Sequence, residues 1–168
     1  EDYTCGGVAL KAILEYYGAG SFTEKQMEKE LHMAKDGTDP FQLVEVIEKY
    51  KLCYLEYRPM TSFQIIDFLN KQKPVMIMIQ AWGYLPSYRD VWDNGHWVIA
   101  IGYDTKGFYF EDPSSSRKRG YLLFEDLEQR WHDIEGHDEH QVEHYGLVVW
   151  GNKIVNPNYK IKKANYIP

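Results

Sequence analysis

Residues 95–113 read GHWVIAIGYDTKGFYFEDP, and this stretch decides the fold class. Trp97 to Tyr103 and Phe108 to Phe110 are short runs rich in β-branched and aromatic residues, which pack well on a pleated, half-buried surface. Asp104, Lys106 and Gly107 lie between the two runs. So tight a connection reads as an antiparallel hairpin and not a parallel crossover, which needs about a dozen residues or more. Antiparallel pairing returns the end of the second run beside the start of the first. Asp112, just before Pro113, is therefore expected near the strand that His96 opens, at one edge of the sheet.

Outward from this hairpin, further short strand-like runs occur after Pro74: Val75 to Ile79, Tyr121 to Phe124 and Leu147 to Trp150. A short helix is expected from Phe124 to Trp131, and 151–168 reads as a polar, lysine-containing tail. The first half is mostly helical. From Cys5, CGGVALKAILEYYG puts Ala9, Ala12, Ile13 and Tyr16 on one face and Gly18 at a stop. A second helix is expected over Glu24 to Met33 with Thr23 as cap, and a third follows Asp39-Pro40. Leu52 to Tyr57 reads as a strand, and Thr61 or Ser62 caps a fourth helix. Helices first and an antiparallel sheet second make an α+β protein. The chain carries no internal repeat and no low-complexity tract.

With 168 residues, 44% hydrophobic and 26% charged, the chain fits one globular domain spanning 1–168. A formal charge of -6 gives counterion-release binding little to work with, so nucleic acid is not an expected partner. No apolar run approaches the length of a membrane span. The compartment stays open, cytoplasmic or exported, and the chain is compatible with being part of a longer protein. Two cysteines, Cys5 and Cys53, are too few for a disulfide framework.

Thiol nucleophiles act as thiolates, and a cysteine at a helix amino end gains from free backbone amides and the helix dipole. Cys5 has that position. The flanking Gly6 and Gly7 are expected to leave room beside the sulfur for a substrate backbone. Of the six histidines, His96 follows Gly95 and opens a buried strand, so rigid backbone would hold its ring. A base also needs an acceptor on its other nitrogen, and Asp112 is the candidate. Each residue has a plainer reading: Cys5 as a small buried hydrophobe, His96 as a strand-end histidine, Asp112 as an Asp-Pro turn former. Their combination carries the weight. Cys53, among Leu52 and Leu55, reads as an inert core residue. The segment HDIEGHDEHQVEH, with His132, His137, His140 and His144, reads as a solvated acidic loop and not a metal site. The aromatic loop AWGYLPSYRDVWDNG, with Trp82, Tyr84, Tyr88 and Trp92, is expected to wall a cleft together with Gly95 and Trp97, against ordinary surface packing as the alternative. Gln80 at the end of the preceding strand could line the same cleft.

EDYTCGGVALKAILEYYG, DGTDPFQLVEVIEKYKL, the proline before VMIMI, and GHWVIAIGYDTKGFYFEDP together resemble the C39-like peptidase family, a branch of the papain-like superfamily, from Glu1 to about Pro113. The resemblance implies a papain-like fold with an N-terminal helical half packed on a C-terminal antiparallel sheet. It also implies a Cys, His, Asp triad in that chain order, carried onto Cys5, His96 and Asp112, with a peptide or protein substrate and no cofactor. The best-known members cut leader peptides after a double glycine. The family's oxyanion glutamine stands several residues upstream of the cysteine and would fall before Glu1. The implied activity is amide hydrolysis through an acyl-enzyme. The rival is a papain-like domain that binds peptides with little chemistry. Amino-terminal nucleophile hydrolases are disfavoured because Cys5 is not the first residue.

Overall fold

The structure, a computed structural model, describes residues 3–33, 37–83, 87–114, 119–152 and 164–168. Helix α1 (Cys5–Tyr16) starts at the expected cysteine, buries Ala9, Leu10, Ile13 and Leu14, and is followed by Gly18 at φ 70. In α2 (Glu24–Glu30), Thr23 Oγ1 accepts from the Gln26 amide, and the Gln26 side chain accepts from the Thr23 amide. The expected extension to Met33 does not form. His32 turns left-handed at φ 50, and Gln42 from the next helix donates to the free carbonyl of Leu31 at 2.7 Å. That helix, α3 (Pro40–Lys49), has proline in its first turn as expected. Strand β1 (Cys53–Tyr57) and α4 (Ser62–Asn70), capped by Thr61, follow.

The remaining elements are β2 (Val75–Gln80), β3 (Gly95–Tyr103), β4 (Gly107–Glu111), β5 (Arg119–Leu123), α5 (Phe124–Arg130), β6 (His132–Glu135), β7 (His140–Glu143), β8 (Gly146–Trp150) and β9 (Ala164–Tyr166). Seven strands form one sheet in the order β1-β8-β2-β3-β4-β5-β9, while β6 and β7 pair separately. All neighbours are antiparallel except β5 and β9. Every residue of β2 is buried, which explains its unbroken apolar run: both faces of the sheet are covered. On one face α1, α2 and α3 contribute Leu10, Leu14, Met27, Leu43 and Ile47 against Met76, Met78, Trp97 and Ile99. On the other, Ile65 of α4 and Leu127 of α5 pack against Val75, Ile77, Val98 and Phe110.

Several expectations need correction. Helix α4 lies on the opposite face from the first three helices, so the helical half is split by the sheet. Cys53 is exposed, because β1 is an edge strand with water on one side. HDIEGHDEHQVEH is a hairpin turned by Gly136 at φ 75, with His132 and Asp133 buried. The tail ends in β9, and Ile167 is buried in the second core; positions 153–163 lie outside the described residues. Among the described residues no helix is long and apolar enough to cross a membrane.

Candidate active site

The β3–β4 connection is built by Asp104, whose Oδ1 accepts from the amides of Lys106 at 2.8 Å and Gly107 at 2.9 Å. Pairing begins with Tyr103 opposite Phe108 and Gly102 opposite Tyr109, then shifts by one so that Ala100 faces Phe110 and Ile99 faces Glu111. The extra residue, Ile101, is a bulge. Because side chains alternate, the shift sets Asp112 on the face of Val98 and His96; an unshifted register would turn it to the other face. His96 Nε2 and Asp112 Oδ1 are 2.7 Å apart. The same oxygen accepts from the Ser114 amide at 2.9 Å and hydroxyl at 2.8 Å. Burial alone would raise the Asp112 pKa, but the bond to His96, its charge and the two Ser114 donors hold it below the ordinary carboxylate value.

The imidazole is 0% exposed. With Nε2 committed to Asp112, Nδ1 is buried and has no hydrogen-bond partner among the described residues. Cys5, 7% exposed at the first position of α1, stands close enough to act on the ring. Burial pulls the His96 pKa down, but Asp112 and Cys5, as acceptors and as negative charges, outweigh it and bring it up to about 9. Cys5 and His96 meet where β3 begins, so no strand separates the helix on one face from the ring on the other. The indole of Trp82 tilts over the imidazole with ring centroids 4.5 Å apart. Its backbone is left-handed at φ 57, and its amide donates to the Pro168 carbonyl at 2.8 Å.

A cleft of about 650 Å³ opens at this point, with Cys5, Trp82, Trp92, Gly95 and Trp97 in its wall. Trp82, Gly95 and Trp97 thus line this cleft, while Tyr84 lies outside the described residues. Gly6 and Gly7 are different. A Cβ on Gly6 would stand 2.8 Å from the Thr38 side chain, and one on Gly7 3.1 Å from Met33 Sδ. Their smallness lets α1 pack closely against its neighbours and does not open space beside the sulfur. Gln80 is fully buried: its Nε2 donates to the His132 carbonyl and Asp133 Oδ1, and its Oε1 accepts from the Asn94 amide. It braces the aromatic loop and does not line the cleft.

Sequence reasoning missed Thr38 and Asp133, which also line the cleft. Asp133 is buried, and its pKa is pushed up to about 7, chiefly by burial, with the Asp39 charge adding to the rise. HDIE carried no usable signal: its buried residues, His132 and Asp133, are both polar and adjacent, so no apolar alternation marks the strand. Among the described residues no group of three or more His, Cys, Asp or Glu is arranged to hold a metal.

No curated protein matches the chain. Solved structures do. The peptidase domain of Streptococcus ComA, a bi-functional ABC transporter involved in a quorum sensing pathway, is 14% identical with a TM-score of 0.63, covering 89% of this chain and 92% of its own. A protein from Bacillus anthracis described as a C39-like peptidase is 15% identical, TM-score 0.68, with 90% of each chain covered. A double glycine motif protease from an AMS/PCAT transporter, solved with its leader peptide, is 18% identical, TM-score 0.57, covering 92% of this chain and 87% of its own. At these identities the likeness concerns the fold, which is that of C39 peptidase domains. The family model described as Peptidase_C39 like family matches residues 1–139, most of the chain, and the chain therefore belongs to the Peptidase_C39 like family.

Proposed function

We propose that the chain is a cysteine peptidase or amide hydrolase with Cys5 as nucleophile, His96 as general base and acid, and Asp112 as the group that orients His96. The observation that carries this reading is a fully buried imidazole bonded to the Asp112 carboxylate at 2.7 Å, with Cys5 near enough to raise its pKa. With Asp112 accepting from Nε2–H, the proton that moves during the reaction belongs to Nδ1, on the sulfur side. The thiolate attacks an amide carbonyl, and the C–N bond breaks as Nδ1–H passes to the leaving amine. Neutral His96 then takes a proton from water. The resulting hydroxide attacks the thioester, the acid departs, and thiolate and imidazolium are restored. As the first residue of α1, Cys5 has a backbone N–H without an acceptor in the helix. That amide is available to the oxyanion. A peptide is the favoured substrate, since a protease of the same fold was solved with a leader peptide. An amine entering in place of water would make the same intermediate a transfer reaction.

The test is acylation by an N-acetylated amino acid p-nitrophenyl ester, read by intact mass. It belongs in a Cys53→Ser background, because Cys53 is exposed. One acyl group should appear on Cys5, and His96→Ala should slow its appearance by about 100-fold or more. Acylation elsewhere, or at a rate indifferent to His96, speaks for a peptide-binding domain without this chemistry.

A further inference from the structure

The cleft beside Cys5 has a second chemical character that the acyl-transfer mechanism does not use. Asp133, on β6, is 8% exposed. Its Oδ1 is fixed by the Ile134 amide at 2.9 Å and the Gln80 side chain at 3.1 Å, whereas Oδ2 accepts no hydrogen bond among the described residues. That oxygen lies against Gly95: a Cβ there would stand 2.3 Å away. Only glycine at 95, one position before His96, leaves room for the carboxyl there. Thr38, 9% exposed, also lines the cleft, but its Oγ1 is turned toward Gly6, 3.0 Å from the position a Cβ there would take, and is out of reach of a ligand in the cleft. The Asp133 carboxyl is thus a largely buried group with one oxygen left to accept from a ligand in the cavity.

The surroundings favour positive charge in that ligand. Asp39 and Asp93 share the wall with Asp133, and no lysine or arginine is among the described residues that line it. The indoles of Trp82 and Trp92 add aromatic surface. Carboxylates with aromatic faces and no competing cation are what a guanidinium or ammonium group binds, through charge-assisted hydrogen bonds and cation–π contact. The Asp39 carboxylate is tied at Oδ1 by the Gly136 amide at 3.0 Å, so the two acidic walls are held near one another.

We propose that Asp133, with the acidic and aromatic wall around it, forms a specificity subsite for a cationic side chain, arginine or lysine, of a peptide lying across the cleft. This rests on the peptidase reading for the ligand being a peptide. Burial keeps the Asp133 carboxyl partly protonated when the cleft is empty, and an arriving cation converts it to the carboxylate.

The experiment compares two isosteric probes, acetyl-Ala-Arg-Ala-amide and its citrulline counterpart, titrated into the whole chain and followed by tryptophan fluorescence from the cleft indoles. The arginine peptide should bind about tenfold more tightly, and Asp133→Asn should bring the two within about twofold. Equal affinities for the unmodified protein, no binding of either peptide, or a preference that survives Asp133→Asn overturns the subsite. The comparison on the unmodified protein stands even if the variant folds poorly. Acylation of Cys5 is scored separately. An arginine preference without acylation removes the catalytic reading and keeps the subsite, and acylation without the preference does the reverse.

Discussion

At the level of single residues, the two nitrogens of His96 have different neighbours, and that asymmetry has a consequence for stability. The raised His96 pKa means that its charged form is favoured in the folded state. Its contribution is fully present below the unfolded value of about 6.5 and is lost as pH rises through about 9. For Asp112 the folded pKa is lowered, so its contribution is present above about 4 and is lost as pH falls below that. The pair should therefore stabilise the protein most between about pH 4 and 6.5. Urea unfolding of the unmodified protein and Asp112→Asn should differ by about 2 kcal/mol at pH 5, the scale of a hydrogen bond to a charged group, and by clearly less at pH 9.5. A difference that does not change with pH would mean that the contact does not carry charge.

At the level of elements, the site depends on the β3–β4–β5 register. Gly107 opens β4 so close to β5 that a Cβ would meet the Leu122 carbonyl at 2.1 Å. Backbone cannot yield as a side-chain tip does, so Gly107→Ala should cost about 1 to 3 kcal/mol in thermal or urea unfolding. If the strand shifts to relieve the clash, the Asp112 carboxylate moves with it, and the His96 imidazole should titrate at lower pH. The hairpin itself was legible, since Asp104 and Gly107 are turn chemistry and the flanking runs are β-branched and aromatic. The bulge at Ile101 was not. A one-residue shift is decided by what each face packs against, and Gly102 beside the bulge reads equally well as part of the approach to the turn. The hairpin of β6 and β7 was hidden for another reason: His132 and Asp133, both buried, are polar and consecutive, so alternation of polarity does not mark them. The exposure of Cys53 follows from β1 being the sheet's edge, a property of strand order that composition does not report.

At the level of the whole molecule, the catalytic candidates come from distant parts of the chain, and the sheet brings them together. Its C-terminal segment takes part. Ile167 is buried against Gly120, whose Cβ position is 2.7 Å from the isoleucine and 3.6 Å from Asp112 Cβ, and the Pro168 carbonyl holds the Trp82 amide. Ile167→Ala should lower stability by about 2 to 4 kcal/mol, measured by urea unfolding; a negligible change would mean that 164–168 is a loose tail after all. Three residues of parallel strand after a polar stretch give little periodicity, which is why this end was unreadable from sequence. Chain order and the helix start identified Cys5, His96 and Asp112 as candidates, but only the folded sheet brings the head of α1 to the first residues of β3. The most direct test of that meeting is an NMR titration of the His96 imidazole in the unmodified protein, Cys5→Ala and Asp112→Asn. The account predicts a value near 9 that falls in both variants; a value near 6.5 in the unmodified protein, or one indifferent to loss of the Cys5 sulfur, would contradict it.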